Sequence, residues 1–550
     1  MQIYCSRERK ALIGRILSNE YDLAIIGGGV TGAGIALDAS SRGIKTVLIE
    51  KYDFASGTSS RSTKLIHGGL RYLKQFEIGL VMGVGRERRI VHNLAPHLVV
   101  SEKMLLPFFK GGTFGKFSTS IGLWVYDFLA GVKSTDKRKM LSKKRTLELE
   151  PLLPDETLKG SGLYAEYRTD DARLTMEIIK TAIQHGADCI NYMEALDFIY
   201  AGNKITGIKA RDVLTGRPCD IYSKFTVSAT GPWVDDLREI NHSKTGKTLH
   251  LTKGCHIVVP YHKLPLKHSI YFDVPDDRMI FAIPRGGITY IGTTDTDYSG
   301  DKDQVRTSAE DAGYLVNGVN HAFPSIHLTV NDIISSWAGL RPLINQSGKK
   351  ADEISRKDEV FISGTGLISI AGGKLTGYRK MSLKVVNIVA NKLRSEYHIH
   401  SRKARTKSIK LTGNHFRGSR EVGKYIDEVR VKLASRGLGL TEANYLVHNY
   451  GRQSDQIISI IAKSTEADPR LKLLLAELEF CGEKELVVSI VDFFIRRTGR
   501  LFFDIESVRK YLEPVLSAMT KYFEWPPDRV EEERNRLETE IYNATHFEKK

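Results

Sequence analysis

The stretch "IIGGGVTGAGIALDASSRG", from Ile25 to Gly43, decides how this chain begins to fold. Glycine is a poor residue for holding a strand or a helix, yet five of the eight residues from Gly27 to Gly34 are glycine. The apolar run "YDLAII" before them is typical of a buried strand, and the residues after them have helical apolar spacing as far as Gly43. A second apolar run, "KTVLIE", follows. This order predicts a βαβ unit at the start of a parallel sheet.

The spacing of Gly27, Gly29 and Gly32 predicts a dinucleotide site at the strand-to-helix turn. The first glycine allows a tight turn, the second lets a pyrophosphate approach the backbone, and the third lets the helix pack closely on the strand. The helix N-terminus then presents N–H groups and a partial positive charge to the phosphates. Glu50 ends the next strand, 18 residues after Gly32, where a carboxylate accepts hydrogen bonds from a ribose diol and repels a 2′-phosphate.

Three other segments favour FAD over NAD. The run "FASGTSSRSTKLIHGGLRYL" offers many hydroxyl and backbone donors, and "SATGPW" resembles a strand-end turn that lies along such a cofactor. A second glycine turn, "GGKLTGYRK", can place helix N–H groups beside a flavin oxygen that becomes negative on reduction. Each segment alone is also compatible with an ordinary loop. We expect non-covalent FAD, in contact with Gly27, Gly29, Gly32, Glu50, Thr58, Ser59, Ser62, Gly231, Gly373, Lys374, Leu375 and Thr376.

Length and composition bound the class of protein. A chain of 550 residues is too long for one core, so two or three domains are expected. The five cysteines form no C-x-x-C pair, which indicates neither a zinc site nor a disulfide framework and suits a reducing cytosol. The net charge of +16 attracts polyanions such as nucleic acid, anionic lipid or phosphorylated metabolites, and a basic surface without such a partner is the alternative. The basic stretch from Lys133 to Arg145 lacks interleaved aromatics, so no nucleic-acid partner is expected, and no apolar run is long enough for a transmembrane helix.

The periodicity changes along the chain in a way that divides it into domains. The segment "TDDARLTMEIIKTAIQHGA" predicts a capped helix, and residues 194–229 alternate with turn signals, as in an antiparallel meander. Residues 250–300 alternate again and predict a second sheet, whereas helical patterns prevail after about residue 400. We therefore predict an α/β fold with a discontinuous cofactor domain (20–100, 160–252 and 335–395), a substrate domain (253–334 with parts of 101–159) and a C-terminal helical domain (400–550).

Several motifs together resemble one family, the FAD-dependent glycerol-3-phosphate dehydrogenases in their Bacillus-type form. The segments "IGGGVTGAGIALDASSRG" and "GGKLTGYRK" are similar to its two signature segments, and the likeness extends over nearly the whole chain. One small departure is Ser382, where the family commonly has alanine. Other similar segments are "TSSRSTKLIHGGLRYL", "EYRTDDARL", "ATGPWVDDLR", "TKGCHIVVP", "IGTTDTDY", "WAGLRPLI", "EISRKDE" and "RRTGRLFFD".

This resemblance implies a Rossmann-like FAD-binding domain and an antiparallel-sheet substrate domain of the glucose/D-amino-acid oxidase type. It also implies oxidation of sn-glycerol 3-phosphate to dihydroxyacetone phosphate, with hydride transfer from C2 to flavin N5 and electrons passed to a membrane quinone. A cytoplasmic protein on the inner face of the cell membrane is expected, and a homodimer is one option. Residues 107–132 with their basic flank could contact anionic lipid, or could belong to the core of the substrate domain.

The family's substrate positions map onto Arg71, Tyr72, His256, Arg341, Arg356 and Lys374. Arg341 stands in the apolar context "WAGLRP", where a buried guanidinium requires a bound anion or a carboxylate partner, and a structural salt bridge is the alternative for both Arg341 and Arg356. His256 is a candidate catalytic base because its ordinary pKa suits proton transfer near neutrality, although it could be a core histidine. His67 is the second candidate, with orientation of the flavin as its other role.

Two alternatives to a quinone-linked dehydrogenase remain open at this level. An oxidase would pass the electrons to oxygen and form hydrogen peroxide, but related oxidases carry an extra segment in the substrate domain, and no obvious insertion occurs between Gly300 and Trp337. The other alternative is a flavin-containing membrane- or nucleic-acid-binding protein whose redox site is vestigial. Turnover after substitution of Arg341 or Arg356 would distinguish this last class from an enzyme.

Overall fold

The computed structural model describes residues 5–66, 78–111, 137–276, 278–345 and 358–548. In these ranges the strands, in chain order, are β1 (Tyr21–Ile26), β2 (Thr46–Ile49), β3 (Leu65–Ile66), β4 (Val100–Phe109), β5 (Lys139–Ser142), β6 (Leu158–Arg168), β7 (Asp188–Ile190), β8 (Met193–Ala201), β9 (Lys204–Asp212), β10 (Pro218–Ser228), β11 (Leu249–Pro260), β12 (Ser269–Asp273), β13 (Met279–Arg285), β14 (Ile288–Gly292), β15 (Thr296–Asp297), β16 (Ser335–Ile344), β17 (Asp358–Ile362) and β18 (Ile368–Gly372).

The α-helices of the same ranges are α1 (Arg9–Leu17), α2 (Val30–Ser41), α3 (Ile78–Leu94), α4 (Lys143–Leu149), α5 (Asp171–Gln184), α6 (Val234–Ile240), α7 (Ala309–Ala322), α8 (Tyr378–Tyr397), α9 (Ser419–Ala434), α10 (Leu440–Tyr450), α11 (Ser454–Lys463), α12 (Pro469–Lys484), α13 (Arg500–Phe503), α14 (Ile505–Phe523) and α15 (Pro527–Thr545). Short 3₁₀ turns and one π-helical turn connect several of them.

The first sheet has the order β17–β18–β10–β1–β2–β7, with parallel pairing from β18 to β7. The βαβ unit predicted at the glycine-rich stretch is its centre, formed by β1, α2 and β2. The predicted meander is β8–β9–β10, whose last strand continues into the parallel sheet beside β1. Ser382 on α8 faces α2, donates its hydroxyl to the carbonyl of Tyr378 (2.8 Å) and leaves no room for a side chain at Gly34.

The second sheet has the order β15–β11–β14–β13–β12–β4–β6–β3, with β16 added on β11 and β5 on β6. Its pairs are antiparallel except for β12 with β4. Helix α7 packs on one side, around residues such as Ile270 and Leu315. The C-terminal helices cover the other side and share an apolar core with Phe281 and Trp337. The α/β class, with a second, mainly antiparallel sheet and a C-terminal helical domain, is therefore confirmed.

Strands β3, β6 and β16 fall within the predicted bounds of the cofactor domain but pair in the second sheet. Strand β16 pairs with β11 from Leu249 opposite Ile344 to Val258 opposite Ser335. Strand β6 pairs along its length with β4. An apolar run has the same appearance in either sheet, and its partner is distant in sequence, so local periodicity does not reveal which sheet it joins.

The helices after residue 418 form the C-terminal domain, and residues 401–418 lead into it through turns and irregular segments. In the described ranges no helix combines the length and the apolar composition needed to cross a bilayer. Of the segment proposed for lipid contact, Pro107–Phe109 end strand β4, and residues 112–132 lie outside the described residues.

Candidate active site

A cavity of about 510 Å³ lies between the two sheets, within the size range of small-molecule sites. Its walls come from segments far apart in the chain: the first glycine turn, the loop after Glu50, the Ala229–Trp233 turn, and strands β11 and β16. The second glycine turn, from Gly372, closes it. Predicted site residues lining it are Gly27, Gly29, Glu50, Thr58, Ser59, Ser62, Gly231, His256, Arg341, Gly373, Lys374, Leu375 and Thr376. Gly32 is packed behind it, and Arg71, Tyr72, Arg356 and His67 lie outside the described residues.

The first glycine turn has the geometry that its spacing predicts. Gly27 has a φ of +110°, and a Cβ there would stand 2.7 Å from the carbonyl oxygen of Ala229. A Cβ on Gly32 would collide with the carbonyl oxygen of Gly27, so this glycine lets α2 approach the end of β1. Gly29 is the N-cap of α2, and Ser59 Oγ accepts a hydrogen bond from the N–H of Val30 at 3.0 Å. The helix N-terminus therefore faces the cavity with space for a phosphate against the backbone.

Glu50 is held at the same end of the cavity by two backbone donors. Its Oε2 accepts from the N–H of Gly28 at 2.6 Å and its Oε1 from the N–H of Tyr52 at 2.9 Å. Burial raises the pKa of Glu50, and the two backbone hydrogen bonds act in the opposite direction. Each oxygen retains a second lone pair, which is the group that a ribose hydroxyl would need.

The second glycine turn also lines the cavity. Gly372 and Gly373 have φ values of +75° and +81°, and a Cβ on Gly373 would collide with Met381. Lys374 is then the N-cap of the 3₁₀ turn Leu375–Gly377, which runs directly into α8. The backbone donors of a helix start therefore face the cavity here as well, as expected for a flavin ring oxygen. With the first turn and Glu50, these residues fit FAD.

Two hydroxyls assigned to the cofactor are used within the protein. Thr58 Oγ1 donates to the carbonyl of Leu340 at 2.7 Å, and Ser62 Oγ donates to Asp171 Oδ2 at 2.6 Å. These side chains thus fix the segment along the cavity wall, and their oxygens can act only as acceptors toward a ligand. The sequence of a serine-rich loop does not show whether a hydroxyl binds the cofactor or bonds to another part of the protein.

His256 lies on strand β11 of the second sheet and is buried, with 1% of its surface exposed. Its ring is stacked on Trp337 with centroids 4.8 Å apart, and Nε2 lies 2.9 Å from Thr63 Oγ1. Nδ1 has no hydrogen-bond partner among the described residues. Burial, assisted by the charges of Arg341 and Lys64, holds the pKa of His256 well below its usual value, so the ring is neutral near pH 7. A buried, neutral imidazole is compatible both with a catalytic base and with a core histidine.

Arg341 has the carboxylate partner that its apolar context requires. Its Nη1 donates to Asp295 Oδ1 at 2.9 Å and to the carbonyl of Thr294 at 3.1 Å, and Nη2 donates to Thr293 Oγ1 at 2.8 Å. A Cβ on Gly254 would collide with the guanidinium, so glycine there makes its position accessible. The side chain keeps 20% of its surface exposed on the cavity wall. Arg341 is therefore ion-paired and still partly exposed on the cavity wall.

Sequence reasoning missed the residues that position these groups: Thr63 and Trp337 at His256, and Thr293 and Asp295 at Arg341. All four lie in motifs quoted for the family resemblance. Of the four, Asp295 in "GTTDTD" was the easiest to predict from the sequence, because a carboxylate was one of the partners expected for Arg341.

Comparison with known proteins gives the chain its family. The family model described as "FAD dependent oxidoreductase" matches residues 22–379, and the model described as "C-terminal domain of alpha-glycerophosphate oxidase" matches residues 404–530. The aerobic glycerol-3-phosphate dehydrogenase of Bacillus subtilis (strain 168) is 48% identical over 98% of this chain and 98% of its own. That of Staphylococcus aureus (strain USA300) is 47% identical over 98% and 97%.

Solved structures support the same family. The glycerol-3-phosphate dehydrogenase from Bacillus halodurans, solved in complex with FAD, has a TM-score of 0.85 and 44% identity, and the match covers 99% of each chain. L-alpha-glycerophosphate oxidase from Mycoplasma pneumoniae, with FAD bound, has a TM-score of 0.56 and 19% identity over 72% of this chain and 98% of its own, which shows the fold alone. The chain is thus FAD-dependent and belongs to the family of aerobic glycerol-3-phosphate dehydrogenases.

Proposed function

We propose that the protein oxidises sn-glycerol 3-phosphate to dihydroxyacetone phosphate and passes the electrons to a membrane quinone. The observation that carries the proposal is that His256, Arg341 and Lys374 line the same cavity as the two glycine turns. The bound FAD supplies the hydride acceptor, at flavin N5. The groups of the chain itself must then bind a phosphate, hold C2 of the substrate and remove the proton of its hydroxyl.

The phosphate is bound, in this proposal, by cations on the cavity wall. Arg341 is held in place by Asp295 and the hydroxyl of Thr293, so it loses little freedom when it binds an anion. Lys374 adds a second positive charge at the second glycine turn. Arg71, Tyr72 and Arg356, which lie outside the described residues, are proposed to complete the substrate site on the strength of the family resemblance.

His256 is our proposed base. A neutral imidazole has a lone pair for the hydroxyl proton, and the lowered pKa keeps the ring neutral at physiological pH. Thr63 and the Trp337 stack hold the ring in one orientation. His67 remains the second candidate.

The second part of the proposal concerns the electron acceptor. Between Gly300 and Trp337 the described chain contains helix α7, one 3₁₀ turn (Val330–Asp332) and the start of β16, with no inserted domain, which favours the quinone over oxygen. Since quinones stay in lipid, we also propose a cytoplasmic protein bound peripherally to an anionic membrane surface, to which its charge of +16 is attracted. Oxygen, with hydrogen peroxide as product, is the second candidate acceptor.

The test is steady-state kinetics of lipid-free holoenzyme with glycerol 3-phosphate, comparing a soluble quinone analogue with oxygen. We expect rapid quinone reduction and little peroxide, and equal or faster peroxide formation would overturn the quinone assignment. The substrate assignment is tested by Arg341→Ala, for which we expect kcat/KM to fall by about 10²–10³ through loss of a charge-assisted phosphate contact. The control is Arg509→Ala, which removes a half-exposed arginine of α14 that is paired with Glu506 and does not line the cavity. An unchanged kcat/KM in Arg341→Ala would refute the phosphate site.

A further inference from the structure

Asp53 lies three residues after Glu50 and is fully buried. Its carboxylate is surrounded by donors from a distant part of the chain. Arg497 binds it through two nitrogens, Nη1 to Oδ2 at 2.7 Å and Nη2 to Oδ1 at 2.9 Å. Arg496 Nε donates to Oδ2 at 2.7 Å, and Asn191 Nδ2 donates to Oδ1 at 2.9 Å. Two arginines of the C-terminal domain therefore converge on one residue of the cofactor domain.

The loop that contains Asp53 forms a wall of the cavity. Glu50, Tyr52 and Gly57 are among its lining residues. The N–H of Ala55 donates to the carbonyl of Gly28 at 3.1 Å, so the loop is bonded directly to the first glycine turn. A Cβ on Gly28 would stand 2.8 Å from Phe54, which shows how closely the loop is packed there. Any shift of residues 51–57 would therefore move the groups around the predicted nucleotide.

The two arginines are presented by an unusual element. Residues Asp492–Arg497 form a π-helical turn, a rare conformation that is frequent at functional sites. Consecutive side chains of an ordinary α-helix diverge by about 100°, yet Arg496 and Arg497 reach the same carboxylate. The turn is itself held by Asp492, which pairs with Arg496 and accepts from Tyr192 Oη at 2.7 Å.

Stability alone is a poor explanation for this cluster. Burying charges costs free energy, and a well-packed apolar replacement of a buried ion pair is often at least as stable. Burial alone would raise the pKa of Asp53, but Arg497 and Arg496 more than offset it and hold the pKa below its usual value, so the carboxylate is charged. The chain therefore keeps Asp53 and both arginines charged in its interior at the cofactor loop, which points to a role in specifying geometry.

We propose that Asp53, held by Arg496 and Arg497, is a positioning residue through which the C-terminal domain sets the affinity for FAD. The cluster fixes the loop of residues 51–57 against the first glycine turn, and so preorganises the binding of the adenosine half of the cofactor. The inference rests on the proposed placement of that half at Gly27–Gly32 and Glu50.

The test compares Arg→Lys variants of two buried arginines. Arg497→Lys keeps the charge but loses the bidentate contact to Asp53. The control, Arg42→Lys, disturbs a similarly buried arginine that donates to Asp38 and to Asn387 Oδ1 (2.8 Å) between α2 and α8, and none of these three residues lines the cavity. Apoprotein is titrated with FAD by flavin fluorescence, and its thermal unfolding is recorded in parallel.

We expect Arg497→Lys to raise the Kd for FAD by about tenfold, the size of one charge-assisted contact. The Kd for ADP, measured by competition, should rise by the same factor because ADP contains the adenosine half. The control should leave both constants within about twofold at a similar loss of thermal stability. An unchanged Kd in Arg497→Lys, or an equal rise in the control, would overturn the proposal. If Arg497→Lys does not fold, Arg496→Lys is measured instead. We expect it to raise both Kd values by a smaller factor, because Arg496 donates only one hydrogen bond to Asp53.

A Glu50→Gln variant tests the proposed placement of the nucleotide separately from the role proposed for Asp53. If it leaves the Kd for FAD unchanged, the placement of the nucleotide is wrong and the positioning role of Asp53 fails with it. If it weakens FAD binding while Arg497→Lys does not, the placement stands and only the role of the cluster is refuted.

Discussion

At the scale of single residues, the imidazole of His256 is stacked on Trp337, bonded to Thr63 and kept neutral by burial. If His256 is the base, His256→Asn should slow the reduction of bound flavin by about 10²–10⁴ without loss of FAD, because no group then accepts the hydroxyl proton. Anaerobic stopped-flow mixing with glycerol 3-phosphate measures this rate. A reduction rate near that of the unchanged protein would assign the base to another residue.

The pH dependence of the same rate follows from the lowered pKa of His256. A base must be unprotonated, so activity is retained above its pKa and is lost as the pH falls through it. Because burial places this pKa below the ordinary value near 6.5, the acid limb of flavin reduction should lie below about pH 6.5. An acid limb at the ordinary histidine value would indicate an exposed base instead.

At the scale of elements, the packing of α2 on β1 depends on Gly32. A Cβ there would collide with the carbonyl oxygen of Gly27, so Gly32→Ala should destabilise the fold by about 1–3 kcal/mol and release FAD. The matched control is Gly14→Ala in α1, where no atom outside the adjoining backbone of α1 lies within 4 Å of the added Cβ and the helix should gain up to about 1 kcal/mol. Urea unfolding midpoints and flavin absorbance per protein measure both effects. Full flavin content in Gly32→Ala would contradict the packing role.

Local elements were predictable from the sequence, whereas their partners were not. The turn at Gly27–Gly32, the helix capped by Asp170 and the meander β8–β10 all follow from glycine spacing, capping residues and alternation. Strands β6 and β16 fall within the predicted cofactor domain but pair in the second sheet, because pairing with β4 and β11 is a long-range choice that apolar alternation does not specify.

At the scale of the whole molecule, His97 links the cofactor domain to the C-terminal domain. Its ring is fully buried against Gly413 and Gly451, its carbonyl accepts from His448 Nδ1 at 2.7 Å, and burial lowers its pKa to about 3. The unfolded chain binds a proton near pH 6.5 and the folded chain does not. The stability that His97 contributes is therefore complete above about pH 6.5 and is lost as the pH falls toward about 3.

We accordingly expect His97→Asn to flatten the loss of stability on acidification. The slope removed should approach about 1.4 kcal/mol per pH unit below pH 6.5. Urea unfolding of both proteins at a series of pH values between about 7 and 5 measures it. The remaining slope includes His448, whose pKa burial also lowers. Parallel slopes in the two proteins would show that His97 does not carry this dependence.

The sequence by itself determined the cofactor turn, the acid at Glu50, the sequence of elements and the family, because each depends on spacing within a few tens of residues or on motifs read in order. Only the tertiary structure decided which carboxylate pairs with Arg341, that Ser62 bonds Asp171, and that Asp53 meets Arg497, 444 residues away. These contacts depend on how two sheets and a helical domain pack together. A charge in a sequence reveals that it needs a partner, but the fold alone selects which partner it meets.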